Sequence, residues 1–156
     1  MHASRPEILV YWGPRRETAR QCAVKFSRML ANLQTVHPVF SRWYYDGFAP
    51  TRQNRDPSTP LPGLDELEAV FDASKHYKDV PREPIPELGY LFGGGNGRDD
   101  GESLSFRVAA GAWYDGGFFP NNFNIHLHWL EVAEGDWANA VVLGATLRAI
   151  VTAWDA

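Results

Sequence analysis

The sequence predicts an α+β fold in which an antiparallel sheet, made of an N-terminal strand and a C-terminal three-strand meander, packs against helices. Three observations predict it. A short apolar run near the N-terminus is followed at once by a long helical stripe. Three runs of period-two alternation, set apart by Gly-rich or Asn-rich turns, then follow in close succession, as in a meander with one buried side. A final apolar helix closes the chain. The order strand, helix, helix, three strands, helix lacks the regular alternation of a doubly wound nucleotide-binding sheet, and no internal repeat is visible. With 156 residues and 44% apolar content, the chain is read as one domain, residues 1–156, able to build its own core.

Each element has a local signature. "EILVYW", Glu7 to Trp12, is apolar and β-prone and reads as a short buried strand, broken by Gly13-Pro14. From Arg15 to Leu33, the residues Ala19, Cys22, Ala23, Phe26, Met29, Leu30 and Leu33 recur at steps of three and four, the stripe of an amphipathic helix. Pro14 suits the first turn of such a helix and Glu17 its positive dipole end. Between His37 and Pro62 five prolines and the Asp46-Gly47 turn exclude a long helix, leaving room for a short strand through Phe40 to Tyr45. A second helix is expected from Leu64 to about Ser74 with Leu64, Leu67, Val70 and Phe71 inward.

The meander follows a Pro-punctuated connector. "LGYLFGG" leads into a Gly-rich turn; "SLSFRVAAGAW" places Leu104, Phe106, Val108 and Ala110 on one face; "NFNIHLHWL" does the same with Phe123, Ile125, Leu127 and Trp129. Gly135-Asp136 reads as the cap of the last helix, whose stripe is read as Trp137, Val141, Gly144, Leu147, Val151 and Trp154.

Composition excludes several classes of function. One cysteine rules out an internal disulfide and a Cys-based zinc cluster, and the N-terminus lacks the pattern of a secretory signal, so a reducing, cytoplasmic setting is expected. Apolar runs fall far short of the roughly 18 to 20 residues of a membrane helix, so no membrane partner is expected. The net charge of -4 is uneven: residues 1–55 hold nine Arg or Lys against three acids, and residues 65–102 hold ten acids against four bases. That asymmetry speaks against a basic nucleic-acid binder, so no nucleic-acid partner is expected. It fits either an acidic surface that receives a basic partner or an ordinary solvated face.

Candidate chemistry is sparse. "GGGNGRDDG" lacks the Lys-Ser/Thr ending of a phosphate loop and runs into a strand, so it reads as a hairpin loop. His126 and His128 share one face of a strand, a spacing that can supply two metal ligands, with Glu131, His37 and His76 as conceivable thirds; a metal-dependent enzyme is the alternative reading they support, solvated or packing histidines the plainer one. Cys22 sits in the apolar stripe and reads as packing rather than as a nucleophile. No Gly-x-Ser-x-Gly turn, His-Glu-x-x-His motif or paired-carboxylate motif is present, and no cofactor is implied. "RWYYDGF", residues 42–48, with Trp43, Tyr44 and Tyr45, could stack single-stranded nucleic acid, cover the sheet or meet a protein partner.

Tyr11-Trp12-Gly13-Pro14-Arg15 with Glu17, then Cys22-Ala23, an aromatic segment around Phe40 and Trp43, a Gly-rich hairpin and a helix ending Ala153-Trp154-Asp155 resemble the immunity protein 52 family of bacterial polymorphic toxin systems. The resemblance implies a small, non-catalytic cytoplasmic protein that binds and neutralises a cognate toxin. It further implies a nuclease toxin of restriction-endonuclease fold, delivered in some systems by type VI secretion. One departure stands out: family members continue past the final helix with a Pro-Asp segment, whereas this chain stops at Asp155-Ala156. A nuclease presents positive surface to phosphates, so carboxylates are the expected complement. Asp65, Glu66, Glu68 and Asp72 on the second helix and Asp99, Asp100 and Glu102 in the hairpin loop are the expected contacts, read from charge alone, with the aromatic Trp43, Tyr44 and Tyr45 beside them.

Overall fold

A computed structural model describes residues 6–46, 63–97, 103–114, 121–128 and 137–155. Strands β1 (Glu7–Trp12), β2 (Tyr44–Asp46), β3 (Tyr90–Gly95), β4 (Leu104–Ala110) and β5 (Asn121–Leu127) form one antiparallel sheet in the order β1-β5-β4-β3-β2. Helices α1 (Ala19–Val36), α2 (Leu64–Ala73) and α3 (Trp137–Asp155) complete the described elements. This is the α+β arrangement expected, four main strands with the three-residue β2 added at an edge. α1 touches both other helices, α3 meets β1 and α2 meets β3, so the helices lie side by side over one face of the sheet. No helix among the described residues is long and apolar enough to cross a membrane.

The alternation read from the meander sets which face is buried. Leu104, Phe106, Val108 and Ala110 on β4 and Phe123, Ile125 and Leu127 on β5 point into the core, and neighbouring strands keep those positions in register: Phe106 opposes Ile125 and Val108 opposes Phe123. Trp129 lies outside the described residues. All seven residues of the α1 stripe are buried. Phe26 sits at their centre, its ring 5.5 Å from Phe92, 5.7 Å from Phe106, 5.9 Å from Phe71 and 6.3 Å from Phe123. Most of these contacts are edge-to-face, the geometry that sets the positive rim of one ring against the negative face of another. One helix residue thereby contacts three strands and the second helix.

Four local expectations are corrected. α1 starts at Ala19 rather than Arg15: Thr18 is the N-cap, its side chain accepts from the Gln21 N–H at 3.2 Å, and Gln21 accepts in return from the Thr18 N–H at 2.8 Å. Pro14 and Glu17 therefore precede the helix. β1 is an edge strand with one wet face: Ile8 and Trp12 point inward, whereas Leu9 and Tyr11 are 41% and 59% exposed. The stretch from Phe40 to Tyr45 divides into a 3-10 turn at Pro38–Ser41 and the short β2.

The fourth correction concerns α3, whose core-facing stripe is Thr146, Ala149, Ile150, Ala153 and Trp154. Val141, Gly144 and Leu147 point away, Val141 being 70% exposed, and the Gly135-Asp136 cap lies outside the described residues. The helix is apolar nearly all round, so two stripes of similar strength compete and periodicity cannot separate them. Ile150→Ala should cost about 2–5 kcal/mol of stability. Val141→Ala should stay within about 0.5 kcal/mol of the parent. Urea unfolding of the two variants checks the orientation, and the reverse ranking would contradict it.

Candidate functional site

The residues that carry the sequence signature converge on one joint. The strap between β1 and α1 is fixed by the Arg15 N–H, which donates to the Ala112 carbonyl at 2.8 Å. Asn121, fully buried at the start of β5, accepts from the Ala112 N–H and donates to the Gly13 and Ala112 carbonyls at 2.9 and 3.0 Å. Trp12 stacks on Trp154, ring centroids 4.5 Å apart and planes 16° from parallel, and the Arg15 guanidinium donates to the Trp154 carbonyl at 2.9 Å. Gly111 holds the other side of the joint at φ +73°, where a Cβ would meet the Tyr90 ring at 2.9 Å and the Glu17 carbonyl at 3.0 Å. Trp12 and Arg15 are thus committed inside the fold.

Cys22 is fully buried, and burial first, then the nearby Glu17 carboxylate, pushes its thiol well above the usual range. A thiol held protonated is a poor nucleophile. Glu17 forms a largely buried ion pair with Lys25 beside it. Glu17 also lines a cleft of about 620 Å³ at the start of α1, shared with Arg20, Glu68, Asp72, Lys75 and Trp113.

The expected contact acids on α2 are partnered, Asp65, Glu66 and Asp72 being exposed and Glu68 half-buried. Arg20 on α1 bridges Asp65 at 2.7 Å and Glu68 at 2.8 Å, and these bonds, Asp65 first, raise the Arg20 pKa. Glu66 accepts from the Tyr45 hydroxyl at 2.8 Å, and Asp72 pairs with Lys75. Asp99, Asp100 and Glu102 lie outside the described residues. Of the aromatic trio, Trp43 is a core residue: its ring packs edge-on against Phe106 and its indole N–H donates to the Phe40 carbonyl at 2.6 Å. Tyr45 is half-buried with its ring against Phe92 and its hydroxyl at the surface, and the Tyr44 backbone pairs with Gly95.

His126 and His128 do come together, as parallel rings 5.9 Å apart on the outer face of the sheet. Each is drawn elsewhere. His128 Nε2 lies 3.0 Å from the Ser105 hydroxyl, and His126 Nε2 lies 3.8 Å from Glu7. Among the described residues no three His, Cys, Asp or Glu side chains cluster as a metal site. His37 caps the 3-10 turn by accepting from the Val39 N–H, His76 lines a different cleft, and Glu131 lies outside the described residues.

Sequence reading passed over that second cleft, about 270 Å³ on the open face of the sheet. It is lined by Leu9, Tyr11, Leu91, Arg107, Asn122 and Asn124, among others. The alternation of β4 already placed Arg107 outward; what it could not show is which residues from other strands stand beside it. A water-soluble thiol reagent should leave Cys22 unmodified in the native protein and react only on unfolding; stoichiometric labelling of the folded state would contradict its burial.

No curated protein matches the chain. The family model described as Immunity protein 52 matches residues 8–156, a span that holds both the Trp12–Arg15 strap and the Trp154 that closes on it. The chain belongs to the immunity protein 52 family.

Proposed function

We propose that the protein acts by binding rather than catalysis: it captures a cognate toxin, a nuclease of restriction-endonuclease fold, in the cytoplasm and so protects the producing cell and its kin. The match to the immunity family over residues 8–156 carries this reading. Type VI delivery of the toxin belongs to the same proposal. The surface chemistry is compatible with a basic partner. Asp65, Glu66 and Asp72 are exposed along α2, and a nuclease surface built to hold phosphates is attracted to such a row at long range. Asp99, Asp100, Glu102 and the aromatic segment at Trp43, Tyr44 and Tyr45 extend the proposed contact set, with Trp43 acting from within the core as support for its neighbours.

Co-expression with the toxin encoded beside it tests the reading. The pair should co-purify and the immunity protein should restore growth; a toxin that neither binds nor is silenced removes the proposal. Changing Asp65, Glu66, Glu68 and Asp72 together to Lys should slow association on the order of tenfold at low salt and flatten its salt dependence. Folding should survive, because exposed ion pairs contribute little to stability. Stopped-flow or biosensor kinetics at two ionic strengths measure the effect, and unchanged rates would take these acids out of the interface.

A further inference from the structure

The three helices cover one face of the sheet and leave the other to be explained. On that outer face the strand registers set Leu9 beside Asn124, Tyr11 beside Asn122, and Arg107 beside Asn124 on one side and Gly93 on the other. Gly93 has no side chain to lay over the guanidinium. Arg107 is exposed, and among the described residues its guanidinium enters no ion pair or hydrogen bond; Arg28 and Arg148 are likewise exposed and without a carboxylate partner there, whereas Arg20, Lys25, Lys75 and Lys78 each have one. Among the described residues, the lining of the cleft beside Arg107 includes no Asp or Glu. Burial first and then the Arg107 charge hold the His76 imidazole of this cleft below its ordinary range, so that it is neutral near pH 7.

We infer that this open sheet face, anchored by Arg107 and flanked by Tyr11 and Leu9, is a docking surface for an acidic loop of the toxin. The inference rests on the toxin-binding reading above. The chemistry is that of a short-range anchor. A guanidinium donates two parallel N–H···O bonds to a carboxylate, and no acid among the described residues lining the cleft competes for that fork. Tyr11, 59% exposed, and Leu9, 41% exposed, offer contact area beside it, in the Tyr-and-Arg combination that concentrates binding energy at interfaces. The Asn124 side chain donates to Glu7 at 2.6 Å, and its carbonyl oxygen, buried and without a hydrogen-bond partner among the described residues, would take a donor from the partner rather than its carboxylate. The α2 acids differ in having their internal cations and donors already in place.

The test measures binding of the purified toxin to the full chain and to Arg107→Glu, Arg107→Gln and Tyr11→Ala, with thermal unfolding of each variant alone. Both side chains are exposed, so unfolding should change little. Arg107→Glu should weaken binding at least about 100-fold, Arg107→Gln and Tyr11→Ala about tenfold or more, and an Asp or Glu to Arg change in the toxin should restore binding to Arg107→Glu alone. If the wild-type chain binds and the three variants bind equally well, the sheet-face inference is overturned while toxin binding stands. If the wild-type chain itself does not bind, the toxin-binding reading falls and this surface with it.

Discussion

The stack of Trp12 on Trp154 is the contact on which the architecture turns. It joins an edge strand at one end of the described chain to the last turn of α3 at the other. Burying a tryptophan removes about 150–250 Å² from water. At about 25 cal/mol per Å², that is about 4–6 kcal/mol of transfer free energy for each ring, an upper value because the unfolded chain is itself partly collapsed. Against it stands a polar cost: neither indole N–H finds a hydrogen-bond partner among the described residues, a loss of about 1–3 kcal/mol each. Burial wins, and the guanidinium of Arg15 on the Trp154 carbonyl adds direction to a contact that is otherwise only apolar.

From that clasp the remaining geometry follows. Among the described strands β1 has a neighbour on one side only, β5, and would be free to fray without α3 behind it. Holding β1 in register places Tyr11 and Leu9 on the outer face and Ile8 and Trp12 on the inner one. Asn121 secures the same region in polar terms, bonding at once to the strap before α1 and to the chain leaving β4. A residue type more often found at the surface is fully buried here because its amide satisfies three backbone groups that neither strand nor helix could reach. The sequence signature is therefore a folding device, which on the proposed reading leaves recognition to the outer surface.

What was legible in the sequence were the features with a strong local period. The α1 stripe and the inward residues of β4 and β5 were readable because alternation with polar neighbours fixes a face without knowledge of anything distant. The start of α1 was obscured because Pro14 and Glu17 imitate a helix beginning, although the Thr18 to Gln21 capping box was in plain view. The inward face of α3 was hidden by its all-round apolar character, and only packing against β1 and α1 selects one side. Partners were the least legible of all. Nothing local tells that Arg20 reaches Asp65 and Glu68, more than 40 residues away, or that Trp43 turns inward beneath Phe106.

Those long-range pairings change how the charge of the molecule can act. An acid already bridged by arginine presents a partner with a dipole rather than a full charge, so the α2 row retains part of its field at a distance but little unmet demand at contact. Arg107 is the reverse case, a single exposed charge with small long-range effect and, among the described residues, no carboxylate partner at short range. Long-range fields govern how fast partners meet, whereas desolvated bidentate contacts govern how slowly they part. On the proposed reading the two surfaces therefore need not compete. Acidic α2 would gather a basic toxin from solution, and the sheet face, given its shape and register by the tryptophan clasp, would hold an acidic loop of that same toxin in place.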